Sequence, residues 1–366
     1  MGLIVRQPDS RGANLDTGHK KSRAHAVTLC TEMVFRGHTL GKYRILEPLG
    51  SGGFGTVYLA EDTWIDKKVA LKVPHRQNLD FGELLREPRL LASLNHPNIV
   101  TVITAEKQDN TFFIVMEYVP GDTLETIIGT RGALDLATVL DYTCQIANAV
   151  EHAHKQGVIH RDLRPANVFV TSAGLLKVGD FGTSRFLEIA AHGTTVIGSP
   201  PYMAPEQFEG RAVFASDLYS LGVTMYQMLT GSLPYDTPAP ADLDRLRRGE
   251  LVTPPRTRNP QVPAVIDDIV MRALAGSVSS RYQRAEDLVS DLLRARSEVG
   301  VRRPAAETAV AADVPAAAAR ARAVARPAAA PSRVRTREVA GGRFCWNCHK
   351  PLPARTATCP FCGETQ

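Results

Sequence analysis

The sequence has no long hydrophobic run and few cysteines, and each of these features excludes a class of protein. No stretch of about 18 uncharged apolar residues occurs, which excludes a membrane-spanning helix. The first residues contain no apolar core behind a basic start, so we expect no secretory signal peptide. Six cysteines in 366 residues, four of them in the last 22, are too few for a disulfide scaffold. We therefore expect a cytoplasmic protein in a reducing compartment.

An excess of positive charge is also missing from the body of the chain, although the net charge is +5. Residues 1–38 carry 6 Lys and Arg against 3 Asp and Glu, and residues 301–366 carry 11 against 4. Residues 39–300 carry 26 against 31, which gives that body a net charge of −5. The basic excess lies in the tails, so a groove for duplex DNA in the body is disfavoured.

Two segments have little hydrophobic patterning. Residues 1–42 predict a disordered tail, and Met33 is an alternative start because it stands just before the first patterned segment. Residues 297–343 consist mainly of Ala, Arg, Pro and Val, with almost no large apolar side chains. Such a composition cannot bury enough surface to offset its ordering entropy, so this segment predicts a linker. As a flexible coil it would span roughly 35 Å.

The segment between them, residues 43–296, changes its periodicity part-way. Short β-type runs come first, namely TVYLAED, KVALKV and TFFIVMEYV. Helical periodicity begins near residue 134 and ends its first run on Gly157; further helical runs lie around 215–230, 264–275 and 284–296. This pattern predicts an α+β domain with a small β-rich lobe and a larger helical lobe, joined at 117–122.

A glycine-rich run precedes the first of these β-type segments. Residues 50–55 match G-x-G-x-x-G, but the alternating residues 56–59 that follow predict a strand. A dinucleotide-binding loop would need a helix there, and a P-loop would need Gly-Lys-Ser/Thr. A glycine hairpin can lie close over a triphosphate and donate backbone N–H groups to it. On the next strand, period-two alternation places Ala70 and Lys72 on one face, which suits an adenine and its phosphates.

Three polar clusters follow in the helical part. They are His160-Arg161-Asp162-Leu163-Arg164-Pro165-Ala166-Asn167, then Asp180-Phe181-Gly182, then Ala204-Pro205-Glu206. A hard cation needs oxygen ligands, which Asn167 and Asp180 can supply. Asp162 can then accept a proton from a nucleophilic hydroxyl.

In this order and spacing the clusters resemble the protein kinase family, specifically its bacterial Ser/Thr branch, over residues 43–296. The resemblance implies the two-lobed protein kinase fold. It also implies ATP with Mg²⁺, or Mn²⁺, as the phosphoryl donor system, and protein serines and threonines as acceptors.

The resemblance further implies a role for each matching residue. Asp162 would be the catalytic base, Lys72 would contact the phosphates and pair with Glu87, and Arg164 would place positive charge near the γ-phosphate. Asn167 and Asp180 would hold Mg²⁺. The nucleotide would be lined by Leu49, Gly50, Ser51, Gly52, Gly53, Phe54, Gly55, Thr56, Val57, Ala70, Lys72, Met116, Glu117, Val119 and Phe169. In the helical lobe, Glu206 would pair with Arg281, and Asp217 would brace the catalytic loop.

Four positions depart from the family pattern. Arg164 replaces the usual Lys, Ser199 replaces Thr and is still able to bridge toward Asp162, and Phe169 replaces a smaller aliphatic residue. Pro88 follows Glu87 inside a helical run, where it can kink the helix. Of these, Pro88, Arg164 and Phe169 support the alternative of a nucleotide-binding pseudokinase scaffold that presents a zinc ribbon to partners. Arg164 would also suit tyrosine specificity, which the segment around Gly198-Ser199-Pro200 opposes.

Two adjacent threonines, Thr194 and Thr195, lie between Asp180 and Glu206. A phosphate on either threonine would add negative charge that can pair with Arg161. We therefore expect autophosphorylation there rather than at Ser184 or Ser199.

The last 23 residues, 344–366, carry two C-x-x-C pairs, formed by Cys345, Cys348, Cys359 and Cys362. The spacing predicts a tetrahedral, structural Cys₄ zinc site that resembles a zinc ribbon. The alternatives are c-type haem attachment, since His349 completes C-x-x-C-H, and a disulfide pair. We expect the ribbon to contact proteins; no separate role, or nucleic-acid binding beside the Arg-rich linker, are alternatives. Cys144, on a helical run, is expected to be a buried small hydrophobe.

Overall fold

The computed structural model describes residues 36–52, 55–75, 88, 91–108, 111–181 and 199–301, and two short strands near the C-terminus. The chain divides into two compact units, Met1–Val310 and Ala311–Gln366. The first unit contains a β-rich lobe followed by a helical lobe, as the change of periodicity predicts. None of the described helices is long and apolar enough to cross a membrane.

The β-rich lobe is one six-stranded antiparallel sheet in the order β1-β2-β3-β4-β6-β5. Its strands are β1 (Thr39–Leu40), β2 (Tyr43–Gly52), β3 (Gly55–Asp62), β4 (Lys67–Pro74), β5 (Val102–Gln108) and β6 (Thr111–Glu117). The three predicted β-type runs are confirmed as β3, β4 and β6. Strand β1 pairs with the start of β2, so the folded lobe begins upstream of the predicted boundary at residue 43.

Strand β4 is buried on both faces, and this explains its sequence. Val69 and Leu71 pack with Tyr43 and Phe113 in the core of the lobe. On the opposite face, Ala70 and Lys72 are also buried. A strand whose side chains alternate between two buried surfaces has an almost continuous apolar sequence, in which a buried lysine such as Lys72 is unusual.

The helical lobe contains seven described α-helices and a small sheet in the order β7-β8-β9. The helices are α1 (Leu124–Arg131), α2 (Leu136–Lys155), α3 (Phe214–Thr230), α4 (Leu243–Arg247), α5 (Pro255–Arg258), α6 (Ala264–Ala273) and α7 (Ala285–Glu298). The strands are β7 (Asp122–Thr123), β8 (Val168–Val170) and β9 (Leu176–Val178). The four predicted helical runs are confirmed as α2, α3, α6 and α7.

Local capping sets the length of α2. The Asp135 carboxylate accepts a hydrogen bond of 2.9 Å from the backbone N–H of Thr138, which satisfies one orphan donor of the first turn. The helix ends at Lys155, and Gly157 then adopts a left-handed conformation with φ of 74°. The C-terminal glycine signal in the sequence is therefore confirmed.

Helix α3 lies at the centre of the helical lobe, and almost all of its residues are buried. Gly222 allows α6 to approach it closely, because a Cβ at that position would lie 2.8 Å from the Cβ of Ala273. The first turn of α3 contributes Asp217 and Ser216 to buried polar contacts, so this buried helix anchors the segments that contain Arg161 and Glu206.

The second unit contains a two-stranded antiparallel ribbon, β10 (Arg343–Phe344) and β11 (Pro351–Leu352), with Arg343 opposite Leu352. These strands flank the first predicted cysteine pair in sequence. The four cysteines themselves lie outside the described residues.

Candidate active site

Lys72 on β4 meets Asp180, which follows β9. The Lys72 Nζ lies 2.6 Å from Asp180 Oδ1, with 7% and 34% of the two side chains exposed. Both residues line a cavity together with apolar side chains that include Leu94, Met116 and Phe181. Two residues 108 positions apart are thus brought together as the predicted phosphate and metal site requires.

The lysine sets the charge state of this aspartate. Burial by itself would raise the pKa of the Asp180 carboxyl, but the charge and the hydrogen bond of the Lys72 ammonium hold that pKa below its usual value. Asp180 is therefore ionised at neutral pH, as a ligand of a hard cation must be.

Asp217 holds the loop of residues 160–167, which is the catalytic loop that the family resemblance implies. Its Oδ2 accepts hydrogen bonds from the backbone N–H of His160 at 2.8 Å and from His154 Nε2 at 2.7 Å. Its Oδ1 accepts from the backbone N–H of Arg161 at 2.8 Å. The prediction that Asp217 braces the loop is confirmed. Both oxygens of its buried carboxylate accept hydrogen bonds.

His160 links the catalytic loop to the segment that carries Asp180. The backbone N–H of Asp162 points to His160 Nδ1 at 3.3 Å, so the proton lies on Nε2, which donates to the Gly179 carbonyl at 2.9 Å. The ring also packs against Phe181, with centroids 4.5 Å apart. A fully buried histidine therefore connects the two loops.

Two non-glycine residues of the site have left-handed backbones, Arg161 with φ of 70° and Asp180 with φ of 56°. Such conformations cost about 1–3 kcal/mol each and persist only where neighbouring contacts enforce them. Arg161 is held through its N–H by Asp217 and through its carbonyl, which accepts from Gln207 Nε2 at 2.9 Å. The two strained residues are thus Asp180 itself and the residue that precedes Asp162.

Asn167 contacts Asp162 through its side-chain amide. Its Nδ2 donates to the Asp162 carbonyl at 2.8 Å and to Asp162 Oδ2 at 3.1 Å. This orientation turns the amide oxygen away from Asp162, and the Asn167 carbonyl accepts from the Gly179 N–H at 2.8 Å. The oxygen donors of Asn167 and Asp180 are the chemical type that fits Mg²⁺.

Arg164 uses its planar fork on two partners. Nη1 donates to Ser199 Oγ at 3.0 Å, and Nη2 lies 3.8 Å from Glu125 Oε1 on α1. The hydroxyl of Ser199 therefore accepts from Arg164, whereas the sequence suggested a bridge from it toward Asp162. A lysine side chain ends in a single nitrogen, so it lacks the two coplanar nitrogens that make these two contacts.

The described glycines of the β2–β3 hairpin differ in what surrounds them. A Cβ at Gly55 would lie 2.4 Å from the Val73 carbonyl oxygen, so this position excludes every side chain. Among the residues that the structure describes, nothing lies within 4 Å of a Cβ built at Gly50 or Gly52. The space found at these two positions is compatible with the predicted role of the hairpin over phosphates.

The remaining predicted nucleotide residues fall on described strands of the cleft. Ala70 lies on β4, Met116 and Glu117 end β6, and Val119 follows them. Phe169 lies on β8, and its ring sits over the backbone just before Asp180: a Cβ at Gly179 would lie 3.0 Å from Phe169 Cε2. The larger ring is thus accommodated by a glycine. Leu49, Ser51, Thr56 and Val57 lie on the β2–β3 hairpin.

Several predicted residues lie outside the described part of the chain, so their roles stay predictions. They are Glu87, Gly53, Phe54, Thr194, Thr195 and the four C-terminal cysteines.

A buried ion pair supports the lobe beside the site. Arg281 Nη1 and Nη2 donate to the two carboxylate oxygens of Glu206 at 2.7 and 2.8 Å. The predicted pair is confirmed. The hydroxyl of Ser216 also donates to Glu206 at 2.6 Å, and this contact was not predicted. The contacts of His154 and Gln207 were not predicted either. A serine, histidine or glutamine inside a helical run carries no local signal of such a role.

Comparison with known proteins agrees with this geometry. The family model described as protein kinase domain matches residues 43–313. The chain belongs to the protein kinase family. Serine/threonine-protein kinase PrkC of Bacillus subtilis is 37% identical over 260 residues, which cover 69% of this chain and 40% of PrkC. Serine/threonine-protein kinase PknB of Mycobacterium tuberculosis is 34% identical over 275 residues, covering 72% of this chain and 44% of PknB. This kinase chain thus matches less than half of the length of these curated relatives.

A solved structure is also similar to this kinase. Rad53 residues 1–466, in complex with AMP-PNP, superposes with a TM-score of 0.59 at 26% identity. The match covers 68% of this chain and 64% of that one. The two-lobed protein kinase fold is therefore confirmed for the first unit.

Proposed function

We propose that this chain is an active serine/threonine protein kinase that transfers the γ-phosphoryl group of ATP to hydroxyls of protein substrates. The observation that carries the proposal is the 2.6 Å contact between Lys72 and Asp180, beside a catalytic loop that is held by Asp217. The named relatives, both serine/threonine-protein kinases, support the same reaction class.

Each group has a distinct task in this proposal. Lys72 neutralises phosphate charge, and Asn167 and Asp180 supply oxygen ligands for Mg²⁺. A cation held by these two residues would supply electrostatic stabilisation of the negative charge that develops during transfer. Asp162 orients the acceptor hydroxyl and takes its proton. Catalysis then rests on positioning and electrostatics rather than on a covalent enzyme intermediate.

A pseudokinase scaffold is the second candidate, and Pro88, Arg164 and Phe169 are the departures that favour it. None of them removes a charged group from the site, and Gly179 leaves room for the ring of Phe169. The ionised Asp180 and the ordered Asp162–Asn167 pair support catalysis instead.

The acceptor can be tested directly. The full chain is incubated with γ-labelled ATP, Mg²⁺ and a generic protein acceptor, and the modified residues are mapped by mass spectrometry. We expect phosphoserine and phosphothreonine. Phosphate found mainly on tyrosine would contradict the assigned specificity.

We further propose activation by autophosphorylation at Thr194 or Thr195. A phosphate there would form charge-assisted hydrogen bonds with Arg161 and order the segment, so Thr194→Ala with Thr195→Ala should lower activity by about tenfold. Mass spectrometry of the active protein should find phosphate at these threonines, and Ser184→Ala serves as the matched control. Full activity of the double variant, together with no phosphate at either position, would contradict this regulation.

We also propose that residues 344–366 form a Cys₄ zinc ribbon that contacts partner proteins, with nucleic acid disfavoured. Strands β10 and β11 support it, because they pair around the segment that carries Cys345 and Cys348. The reduced thiolates required are consistent with the cytoplasmic location that we propose from the cysteine count.

Metal analysis tests the ribbon. Four thiolates contribute roughly 10–16 kcal/mol of apparent binding free energy, and a module this small depends on that for folding. We expect about one zinc per chain, lost on Cys359→Ser with Cys362→Ser and retained on Cys144→Ser. Phosphorylation of a generic acceptor should change little. Zinc retained in the double variant would rule out the assigned ligands.

A further inference from the structure

Lys177 lies in the middle of β9, three residues before Asp180, and none of the predicted roles includes it. Its Nζ lies 2.7 Å from Glu117 Oε1 and 3.4 Å from the Ile99 carbonyl oxygen. Only 15% of the Lys177 side chain and 26% of the Glu117 side chain are exposed. A mostly buried ammonium therefore bridges three segments of the cleft.

Glu117 is the residue through which this contact reaches the nucleotide site. It ends β6, directly after Met116. The same Oε1 that meets Lys177 accepts the backbone N–H of Thr101 at 2.7 Å, and the Glu117 N–H donates to the Thr101 carbonyl at 2.9 Å. The end of β6 is thus fixed from its side chain and its backbone together.

The segment before Thr101 is in turn tied to β9. The N–H of Val178 donates to the Asn98 carbonyl at 2.8 Å, and the N–H of Val100 donates to the Val178 carbonyl at 2.9 Å. Lys177 closes this arrangement by adding a charged contact beside the backbone pairs. Charge-assisted hydrogen bonds in partly buried places are stronger than neutral ones.

We propose that Lys177 is a positioning residue for nucleotide binding. It holds Glu117 at a fixed distance from β9, the strand that leads into Asp180. The end of β6, which meets the adenine, and the Asp180 carboxylate, which holds the cation, therefore keep the same relative position. This rests on the proposed ATP site. Losing the ammonium leaves a half-buried carboxylate with one remaining backbone donor, and the end of β6 is then free to shift.

The test compares Lys177→Met, Lys177→Arg and Glu117→Gln with the wild-type full chain. The dissociation constant of a fluorescent ATP analogue with Mg²⁺ is measured first, and KM for ATP and kcat second. We expect Lys177→Met to weaken nucleotide binding and raise KM by about tenfold, with kcat within about twofold of wild type. Lys177→Arg should restore most of the affinity. The double variant Lys177→Met with Glu117→Gln should be no weaker than the worse single variant, since both act through one contact.

Lys155→Met is the matched control, because Lys155 also pairs with a glutamate, Glu151, but is 63% exposed on α2. Its nucleotide affinity should equal that of wild type. An unchanged affinity in Lys177→Met, or a loss of kcat at unchanged affinity, would overturn the proposal. Binding by the wild type without phosphoryl transfer would instead refute the kinase activity and leave the binding comparison valid. No nucleotide binding by the wild type would overturn both.

Discussion

Asp162→Asn is expected to lower the rate of phosphoryl transfer by about 10²–10⁴-fold, the usual contribution of a positioned general base. The substitution keeps an oxygen that can accept the hydrogen bond from Asn167 Nδ2, so the loop geometry should persist. Because Lys72 and Asp180 are untouched, binding of Mg·ATP should stay near its wild-type value. The measurement pairs initial transfer rates with the nucleotide dissociation constant.

Two variants give this result its meaning. Asp180→Asn should weaken Mg·ATP binding as well as transfer, since it removes a cation ligand. Asp244→Asn, at an exposed aspartate of α4, should change neither quantity. Wild-type transfer rates in Asp162→Asn would show that another group acts as the base.

Arg281→Met is expected to destabilise the protein by about 3–5 kcal/mol, the cost of leaving one partner of a buried ion pair uncompensated. Arg281 is fully buried and Glu206 is 10% exposed. The guanidinium is satisfied throughout, because it also donates to the carbonyls of Ala275 and Gly276. Urea unfolding of the variant, compared with wild type, measures the effect.

The control is Arg284→Met, which breaks an exposed pair with Asp287 and should cost less than about 1 kcal/mol. Glu206→Leu combined with Arg281→Met should recover much of the loss, because no charge is then left buried. Equal small effects of Arg281→Met and Arg284→Met would contradict a stabilising role for the buried pair.

The same pair predicts a pH dependence. Burial opposes ionisation of Glu206, but the hydrogen bonds from Arg281 and Ser216 hold its pKa below the ordinary value. A depressed folded-state pKa contributes stability above the unfolded pKa, which is about 4.3 for glutamate. That contribution is lost as the pH falls through the lower folded value.

The hydrophobic pattern of the sequence was sufficient to predict those helices and strands whose apolar residues recur with a single period. Strands β3, β4 and β6 alternate, and α2 carries both of its terminal signals in Asp135 and Gly157. Strand β5 was missed because its sequence, VITAEKQ, mixes polar and apolar residues on a half-exposed strand that owes its conformation to pairing with β6. Helix α1 was missed for a similar reason, since its eight residues show almost no amphipathic pattern.

The site itself divides in the same way. The glycines, Lys72, Asp162, Asn167 and Asp180 were found because they stand in compact runs. The resemblance supplied the role of Asp217, but the other contacts that hold these residues were not predicted, since Lys177 reaches Glu117 across 60 positions and His154 reaches Asp217 across 63. Periodicity carries no information about pairs so distant in sequence. They follow only once the fold has brought the segments together.

The central claim, that this constellation transfers phosphate rather than only binding nucleotide, is tested most directly by one measurement. Label from γ-labelled ATP incorporated into a protein acceptor is quantified for the purified full chain, at a nucleotide concentration where binding has been verified. We predict Mg²⁺-dependent incorporation into serine and threonine that falls by at least about a hundredfold in Asp162→Asn. Saturated nucleotide binding with no incorporation above that of Asp162→Asn would contradict the account.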